Sequence, residues 1–211
     1  MIIDIHTHHA APQPEGVIDA SPLSMPEFTP ADGQLYSAGI HPWSTVDPID
    51  DTVWAELETR LLLPQFVAVG ECGVDLSGNA GMLYVQLQVL KRQIELSERL
   101  GKPIIIHCVK AEDVICGLRR DLKPTQPWII HGFRKKPETA AQLLRADCYI
   151  SLGEHFNIDT LKSIPPERLL AETDQSPLPI QSIIQRMEIA LDRPLTDLIA
   201  DNSARVLHME K

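Results

Sequence analysis

The sequence lacks the features that mark several large classes of protein. Only four of its 211 residues are cysteine, and no Cys-x-x-Cys pair occurs, so we expect reduced thiols rather than a disulfide framework. No apolar run reaches the roughly 18–20 residues that a membrane helix needs, and residues 1–9 have neither the basic region nor the apolar stretch of a signal peptide. These absences predict a cytoplasmic protein without membrane contacts.

Positive charge is scarce as well. The chain has 19 Lys and Arg against 29 Asp and Glu, and its net charge is -10. Because nucleic acids and anionic membranes favour clustered Lys and Arg, no stable nucleic-acid complex is expected, and DNA or a small phosphodiester would enter only as a substrate. Trp43, Trp54 and Trp128 are too scattered along the chain to predict a surface for base stacking. Nothing in the sequence indicates an oligomeric state.

Aliphatic residues, in contrast, are abundant and recur in short runs. Because several of these runs are apolar at consecutive positions, they are typical of parallel strands that are covered on both faces. The candidate strands are Ile2–His6, Gly16–Ala20, Leu35–Ile40, Phe66–Glu71, Pro103–His107, Pro127–His131, Cys148–Leu152 and Leu169–Thr173.

Helical patterns separate the later runs. The clearest is Tyr84–Leu100, where leucines recur at helical spacing before a Gly-Lys-Pro stop signal. Similar patterns occupy Glu138–Arg145, Ile183–Leu191 and Thr196–His208. One strand and one helix in about 26 residues predict a single domain, residues 1–211, with the α/β fold of a TIM-type (β/α)8 barrel. Residues 9–34 contain five prolines and no amphipathic run of two turns, so the first crossover helices are expected to be reduced or missing.

Residues that commonly bind metals stand where the candidate strands end. In a strand, residues i and i+2 point the same way, so His6 and His8 are expected to face one site. Four more such residues follow at the ends of later strands, and the carboxyl ends of barrel strands converge on one rim. The expected ring consists of His6, His8, Glu71, His107, His131 and Asp174.

A ring of nitrogen and oxygen ligands without cysteine favours two divalent ions of the Zn, Mn, Mg or Fe type. Glu71 is the expected bridge between them, and the reaction class is metal-assisted hydrolysis. Asp174 is expected both to bind metal and to accept a proton from the attacking water, which makes Glu71 and Asp174 the candidate catalytic residues. Glu172 is expected either to orient a ligand or to form a salt bridge inside the barrel.

Seven sequence blocks, in this order along nearly the whole chain, resemble the TatD family of metal-dependent deoxyribonucleases. They are HTH at 6–8, AGIHPW at 38–43, VGECGVD at 69–75, KPIIIHC at 102–108, IHGF at 130–133, LLAETD at 169–174 and NSARVL at 202–207. The resemblance implies a TIM barrel with a phosphodiesterase centre. It also implies that His6 and His8 bind one ion, that His107 and His131 bind the other, and that Asp174 completes the centre. The chain is a short variant of this pattern.

Three further residues are candidates for binding the substrate. His41 ends the third candidate strand, and the resemblance favours a contact with a substrate phosphate. Lys110 stands where the family has an arginine and keeps its positive charge without the bidentate fork. Arg134 opens the Arg-Lys-Lys run that follows His131, which is the best candidate for a local phosphate clamp in an acidic protein.

Two alternatives remain open at this point. An amidohydrolase-type lactonase, amidase or deaminase also begins with a His-x-His motif, although those enzymes often bridge their metals with a carboxylated lysine where this chain has Glu71. The other alternative is a protein that binds metal without turnover because its substrate loops are shortened.

Overall fold

The computed structural model describes residues 1–9 and 11–209 of the chain. Eight parallel strands lie in the order of the sequence around one sheet, as the sequence predicts. They are β1 (Asp4–Thr7), β2 (Gly16–Asp19), β3 (Leu35–Ala38), β4 (Phe66–Asp75), β5 (Ile104–Val109), β6 (Trp128–Ile130), β7 (Cys148–Leu152) and β8 (Leu169–Ala171).

Seven α-helices are seen among the described residues, and none of them is long and apolar enough to cross a membrane. The helices are α1 (Asp51–Leu62), α2 (Leu83–Leu100), α3 (Glu112–Leu122), α4 (Pro137–Arg145), α5 (Ile158–Ser163), α6 (Ile180–Leu191) and α7 (Thr196–Val206). No helix lies between β1 and β2 or between β2 and β3 in the described residues, which confirms the expectation for the proline-rich segment. The structure is a nearly closed TIM-type barrel with two helices fewer in its first quarter.

The sequence interpretation differs from the structure in the length of β4 and in the helices α1 and α3. The fourth strand does not end at the polar residue Glu71 but continues to Asp75, because residues 72–75 also pair with β5. Helix α1 was not anticipated, although Asp50 provides a good N-cap by accepting a hydrogen bond from the Thr52 N–H. Helix α3 was not anticipated either, since Gly117 interrupts its pattern.

The apolar core is divided between the two faces of the sheet. A small cluster fills the barrel interior and includes Ile5, Ile105 and Leu170, with Val206 from α7. A much larger cluster lies between the outer face of the strands and the helices, and Cys72 is fully buried in it. Apolar side chains therefore occupy one part of the interior, and the polar side chains of the strands are left to face the barrel mouth.

Polar contacts between the first and last strands close the barrel. The buried carboxylate of Asp4 accepts hydrogen bonds from the Thr173 N–H (2.9 Å) and the Thr173 hydroxyl (2.7 Å). The backbone of Asp174 pairs with the chain around Thr7, and its N–H donates to the carbonyl of His6 at 3.0 Å. This closure brings His6 and Asp174, 168 positions apart in the sequence, to the same rim.

Candidate metal centre

Glu71 lies at an irregular point in the middle of β4. The strand changes register against β5 between Val69 and Cys72, next to Gly70 with its positive φ. A side chain at Gly70 would collide with the carbonyl of Ile105, so glycine is required for this close approach to β5. The irregularity allows the Glu71 carboxylate to point into the barrel mouth, where it is 5% exposed.

The two carboxylate oxygens of Glu71 face two different groups of histidines. Its Oε2 lies 3.4 Å from His6 Nε2 and 3.2 Å from His8 Nε2. Its Oε1 lies 2.8 Å from His107 Nδ1 and 2.6 Å from His131 Nε2. A carboxylate whose two oxygens face different imidazole nitrogens can bridge two cations. The two groups adjoin each other, because ligand atoms of His6, Glu71 and His131 also lie within 4.8 Å of one another.

His41 joins the second group, closer to the centre than the sequence suggested. Its Nε2 lies 3.2 Å from Glu71 Oε1 and 3.3 Å from His107 Nδ1. The sequence made His41 a candidate for the substrate phosphate alone, whereas the structure brings its ring among the potential ligands.

Asp174 completes the first group from the other side. Its Oδ1 lies 3.5 Å from His8 Nε2, and 39% of its side chain is exposed. The ligand atoms of His6, His8 and Asp174 all lie within 4.8 Å of one another. The six residues predicted from the strand ends therefore surround one space, and Asp174 is its most exposed carboxylate contact.

The donor atoms fit divalent cations. His6 Nε2 and His8 Nε2 face each other at 3.2 Å, and two imidazole nitrogens at that distance share at most one hydrogen between them. The buried Nδ1 of His6 has no hydrogen-bond partner in the described part of the chain. Converging nitrogen lone pairs around a carboxylate suit Zn, Mn or Fe, while the carboxylates also suit Mg.

Three of the candidate histidine ligands have another carboxylate next to the ring nitrogen that does not face Glu71. His8 Nδ1 lies 3.4 Å from Asp19 and His107 Nε2 lies 3.1 Å from Asp75. His131 Nδ1 lies 3.6 Å from Glu172, which is an ionic contact without a hydrogen bond. Carboxylates on the far nitrogen of an imidazole fix the ring orientation and raise its basicity. The sequence analysis proposed this role for Glu172 but missed Asp19 and Asp75. A carboxylate at the end of a candidate strand was the available signal for Asp19.

These contacts also determine protonation. Burial alone would raise the pKa of Glu71, but the charge on His131 and hydrogen bonds from His107, His131 and His41 hold that pKa well below its ordinary value. Burial opposes protonation of His8, yet the hydrogen bonds to Asp19 and Glu71 raise the pKa of His8 to about 10. The buried Glu71 carboxylate therefore remains ionised, and a divalent cation that binds His8 would displace the proton that these contacts favour there.

A cavity of about 380 Å³ opens beside the second group of histidines. Arg134 is exposed and lines it, and so does Lys135, whose ammonium pairs with Glu112. Lys110 is exposed at the end of β5 but is not among the described residues that line this cavity. Of the cations proposed as a phosphate clamp, Arg134 is therefore the one best placed to meet a ligand there.

Comparisons with known proteins agree with this geometry. A model of the family described as TatD related DNase matches residues 29–191, which is more than half of the chain. The chain belongs to the TatD family. The match confirms the resemblance carried by the sequence motifs.

Two relatives match part of this chain. The chain is 32% identical over 151 residues to a protein of Bacillus subtilis named uncharacterized metal-dependent hydrolase YabD, covering 66% of this chain and 58% of that protein. It is 30% identical over 147 residues to the 3'-5' ssDNA/RNA exonuclease TatD of Erwinia billingiae, covering 65% and 56% of the two chains. The chain thus matches less than two thirds of the length of these relatives.

A solved TatD structure has the same fold over almost the whole chain. The TatD homologue YjjV of Escherichia coli superposes with a TM-score of 0.80 at 19% identity, covering 99% of this chain and 98% of that one. The protein accordingly belongs to the TatD family by sequence and has a TIM-barrel fold.

Proposed function

We propose that the protein hydrolyses phosphodiester bonds with two divalent ions that share Glu71. The observation that carries this proposal is the division of the Glu71 carboxylate, with Oε2 toward His6 and His8 and Oε1 toward His107 and His131. We place the reaction in the cytoplasm, as the sequence suggests.

Each residue of the centre has a proposed role in binding metal or in moving a proton. His6, His8 and Asp174 would hold one ion, His107 and His131 would hold the other, and Glu71 would contact both. Bound divalent cations supply Lewis acidity, which neutralises charge on a phosphate ester and makes water a good nucleophile near neutral pH. The partly exposed carboxylate of Asp174 accepts the proton that the attacking water loses.

The substrate we propose is a DNA end or a small phosphodiester. One TatD relative is named a 3'-5' ssDNA/RNA exonuclease, which supports a nucleic-acid substrate for this chain. Arg134 at the cavity edge would bind a phosphate. Lys110 lies outside the described residues that line this cavity, and His41 lies among the candidate metal ligands, so both are weaker candidates for a phosphate contact. Because the net charge is -10, these few cations would bind a nucleic-acid strand only weakly, and no stable complex is expected.

The amidohydrolase alternative is less well supported. In the described part of the chain, the five side chains that contact the Glu71 carboxylate are all histidines, and a lysine that could be carboxylated is not among them. Glu71 would take the bridging position that such enzymes give to a modified lysine.

One set of assays tests the proposal. Purified protein is loaded with Mn²⁺, Mg²⁺ or Zn²⁺ and incubated with single-stranded DNA, a generic phosphodiester, a lactone and an amide, with Glu71→Gln as the matched control. We expect cleavage of phosphodiesters that the substitution abolishes. Cleavage of the lactone or amide alone would support the amidohydrolase hypothesis. Bound metal without any turnover would support the hypothesis that the protein only binds metal.

A further inference from the structure

Trp43 is an exposed aromatic side chain held in a fixed orientation beside the proposed metal centre. It belongs to a 3-10 helix, Pro42–Val46, that directly follows His41, and 50% of its surface is exposed. The other two tryptophans differ, because Trp54 is 6% exposed and Trp128 is fully buried. Trp43 is therefore the most exposed of the three tryptophans.

The indole is fixed by a hydrogen bond to a buried anion. Trp43 Nε1 donates to Asp75 Oδ2 at 2.6 Å, and Asp75 is 2% exposed. The backbone of Asp75 is clamped by Gln86, which accepts from the Asp75 N–H at 2.8 Å and donates to its carbonyl at 3.0 Å. The indole N–H of Trp43 is held by Asp75, the last residue of β4. The side chain therefore loses little further conformational entropy when a ligand stacks on its face.

The same ring lies at the edge of the candidate ligands. Its centroid is 4.9 Å from the ring of His41 and 6.1 Å from the ring of His107, both in edge-to-face orientation. Nitrogen atoms of these two histidines lie within 3.2 Å of Glu71 Oε1. A phosphodiester bound at Glu71 would thus bring its attached nucleoside toward Trp43, because the indole contacts the two histidines that face Glu71 Oε1.

We propose that Trp43 is a stacking platform for the nucleobase next to the scissile phosphodiester, and so determines a preference for single-stranded nucleic acid. This inference rests on the proposed hydrolysis of phosphodiesters. Every base presents a π-face, so stacking on one indole gives affinity without a sequence preference. Stacking on the indole also requires a base that is not stacked between neighbouring bases, and in duplex DNA the bases are stacked on one another. A single platform suits an acidic protein that has few cations for the strand.

Fluorescence provides a test that does not need turnover. Tetrathymidylate with phosphorothioate linkages, which resist cleavage, is titrated into the full chain with Mg²⁺, and an abasic tetramer of the same linkage serves as the control. We expect tetrathymidylate to quench the tryptophan emission and the abasic tetramer to leave it unchanged. Trp43→Phe should show no quenching, because Trp54 and Trp128 are buried. No quenching, or equal quenching by both tetramers, would overturn the proposal.

Kinetics separate stacking from the bond between Trp43 and Asp75. The readout is the ratio of kcat/KM for a normal oligonucleotide to kcat/KM for one with an abasic nucleotide at the scissile position. Trp43→Leu should lower this ratio about tenfold, whereas Trp43→Phe should largely keep it, because phenylalanine stacks but cannot bond to Asp75. A ratio unchanged in Trp43→Leu would overturn the platform while leaving hydrolysis intact. Base-dependent quenching without any turnover would instead contradict hydrolysis alone.

Discussion

The carboxylate of Asp75 orients two side chains that face the proposed centre. Its Oδ2 lies 3.1 Å from His107 Nε2 and accepts from Trp43 Nε1 at 2.6 Å. Burial opposes ionisation of Asp75, but hydrogen bonds from Ser77, Trp43 and His107 hold its pKa below the usual value. The residue is thus an anion that helps to present the other nitrogen of His107 to Glu71.

Asp75→Asn should therefore weaken metal binding without unfolding the protein. Asparagine keeps the shape but loses the charge that raises the basicity of His107, and changes of this kind typically cost about 10–100-fold in metal affinity or activity. Competition with a coloured chelator measures the affinity. The control is Asp201→Asn on the exposed surface of α7, which should leave the affinity unchanged. Equal affinities for wild type and Asp75→Asn would contradict this role.

The sequence predicts the candidate metal ligands better than the residues that position them. Strand ends in a barrel share one rim, so six side chains could be assigned to one site before the structure was known. Asp75 could not, because its place depends on β4 extending beyond Glu71. His41 follows a predicted strand end, but its position among the other histidines depends on the close approach of β3 and β4 at Gly39, where a side chain would meet the Glu71 carbonyl.

Strand β4 contains two glycines, Gly70 and Gly73, at positions where any side chain would collide with β5. Gly73 has a φ of 150°, and an added Cβ would collide with the backbone carbonyl of His107 on β5. The register between β4 and β5, and with it the distance from Glu71 to His107, depends on this close packing of two strands.

Gly73→Ala should destabilise the protein by roughly 1–3 kcal/mol, because neighbouring backbone must move to relieve the clash. The free energy of unfolding in urea measures the effect. Gly117→Ala is the matched control in helix α3, where the new methyl group would meet only the far end of Arg120. It should stabilise by about 0.5–1 kcal/mol, since glycine costs that much inside a helix. Equal unfolding midpoints for Gly73→Ala and wild type would contradict the packing argument.

Elements with a strong local pattern were predicted well. The helix predicted from Tyr84 to Leu100 begins one residue earlier in the structure, and β7 has the predicted bounds. Elements whose form depends on neighbours were not. The predicted fourth strand ends at the polar residue Glu71, four residues before β4 ends, because the sequence does not show the neighbouring strand against which the remaining residues pack.

The barrel as a whole depends on the contact between its first and last strands. Asp4 is fully buried, and burial raises its pKa to about 7 although hydrogen bonds from Thr173 act in the opposite direction. These bonds join residues 169 positions apart, so they stabilise the closed barrel rather than any local element.

Thr173→Val should cost roughly 1–3 kcal/mol of the free energy of unfolding, because it keeps the shape of the side chain but leaves a buried Asp4 oxygen without its hydroxyl partner. Urea denaturation at pH 8 measures the loss. Thr59→Val is the control, since the exposed Thr59 hydroxyl bonds only to the Ala55 carbonyl within its own helix, and the change should stay within about 0.5 kcal/mol. A loss for Thr173→Val no larger than for the control would show that this closure contributes little.

The alternation of strands and helices over the full chain made the architecture predictable. The proline content of the first quarter also predicted, correctly, that two crossovers lack helices. The sequence cannot show how the polar residues divide around Glu71, because that division depends on strand register and on the closure of β1 against β8.

Anomalous diffraction from crystals grown with Mn²⁺ or Zn²⁺ tests the central claim most directly. Two divalent ions should give two peaks, one beside Glu71 Oε2 near His6 and His8, and the other beside Glu71 Oε1 near His107 and His131. A single peak, or ions bound away from Glu71, would contradict the bridging role of this carboxylate.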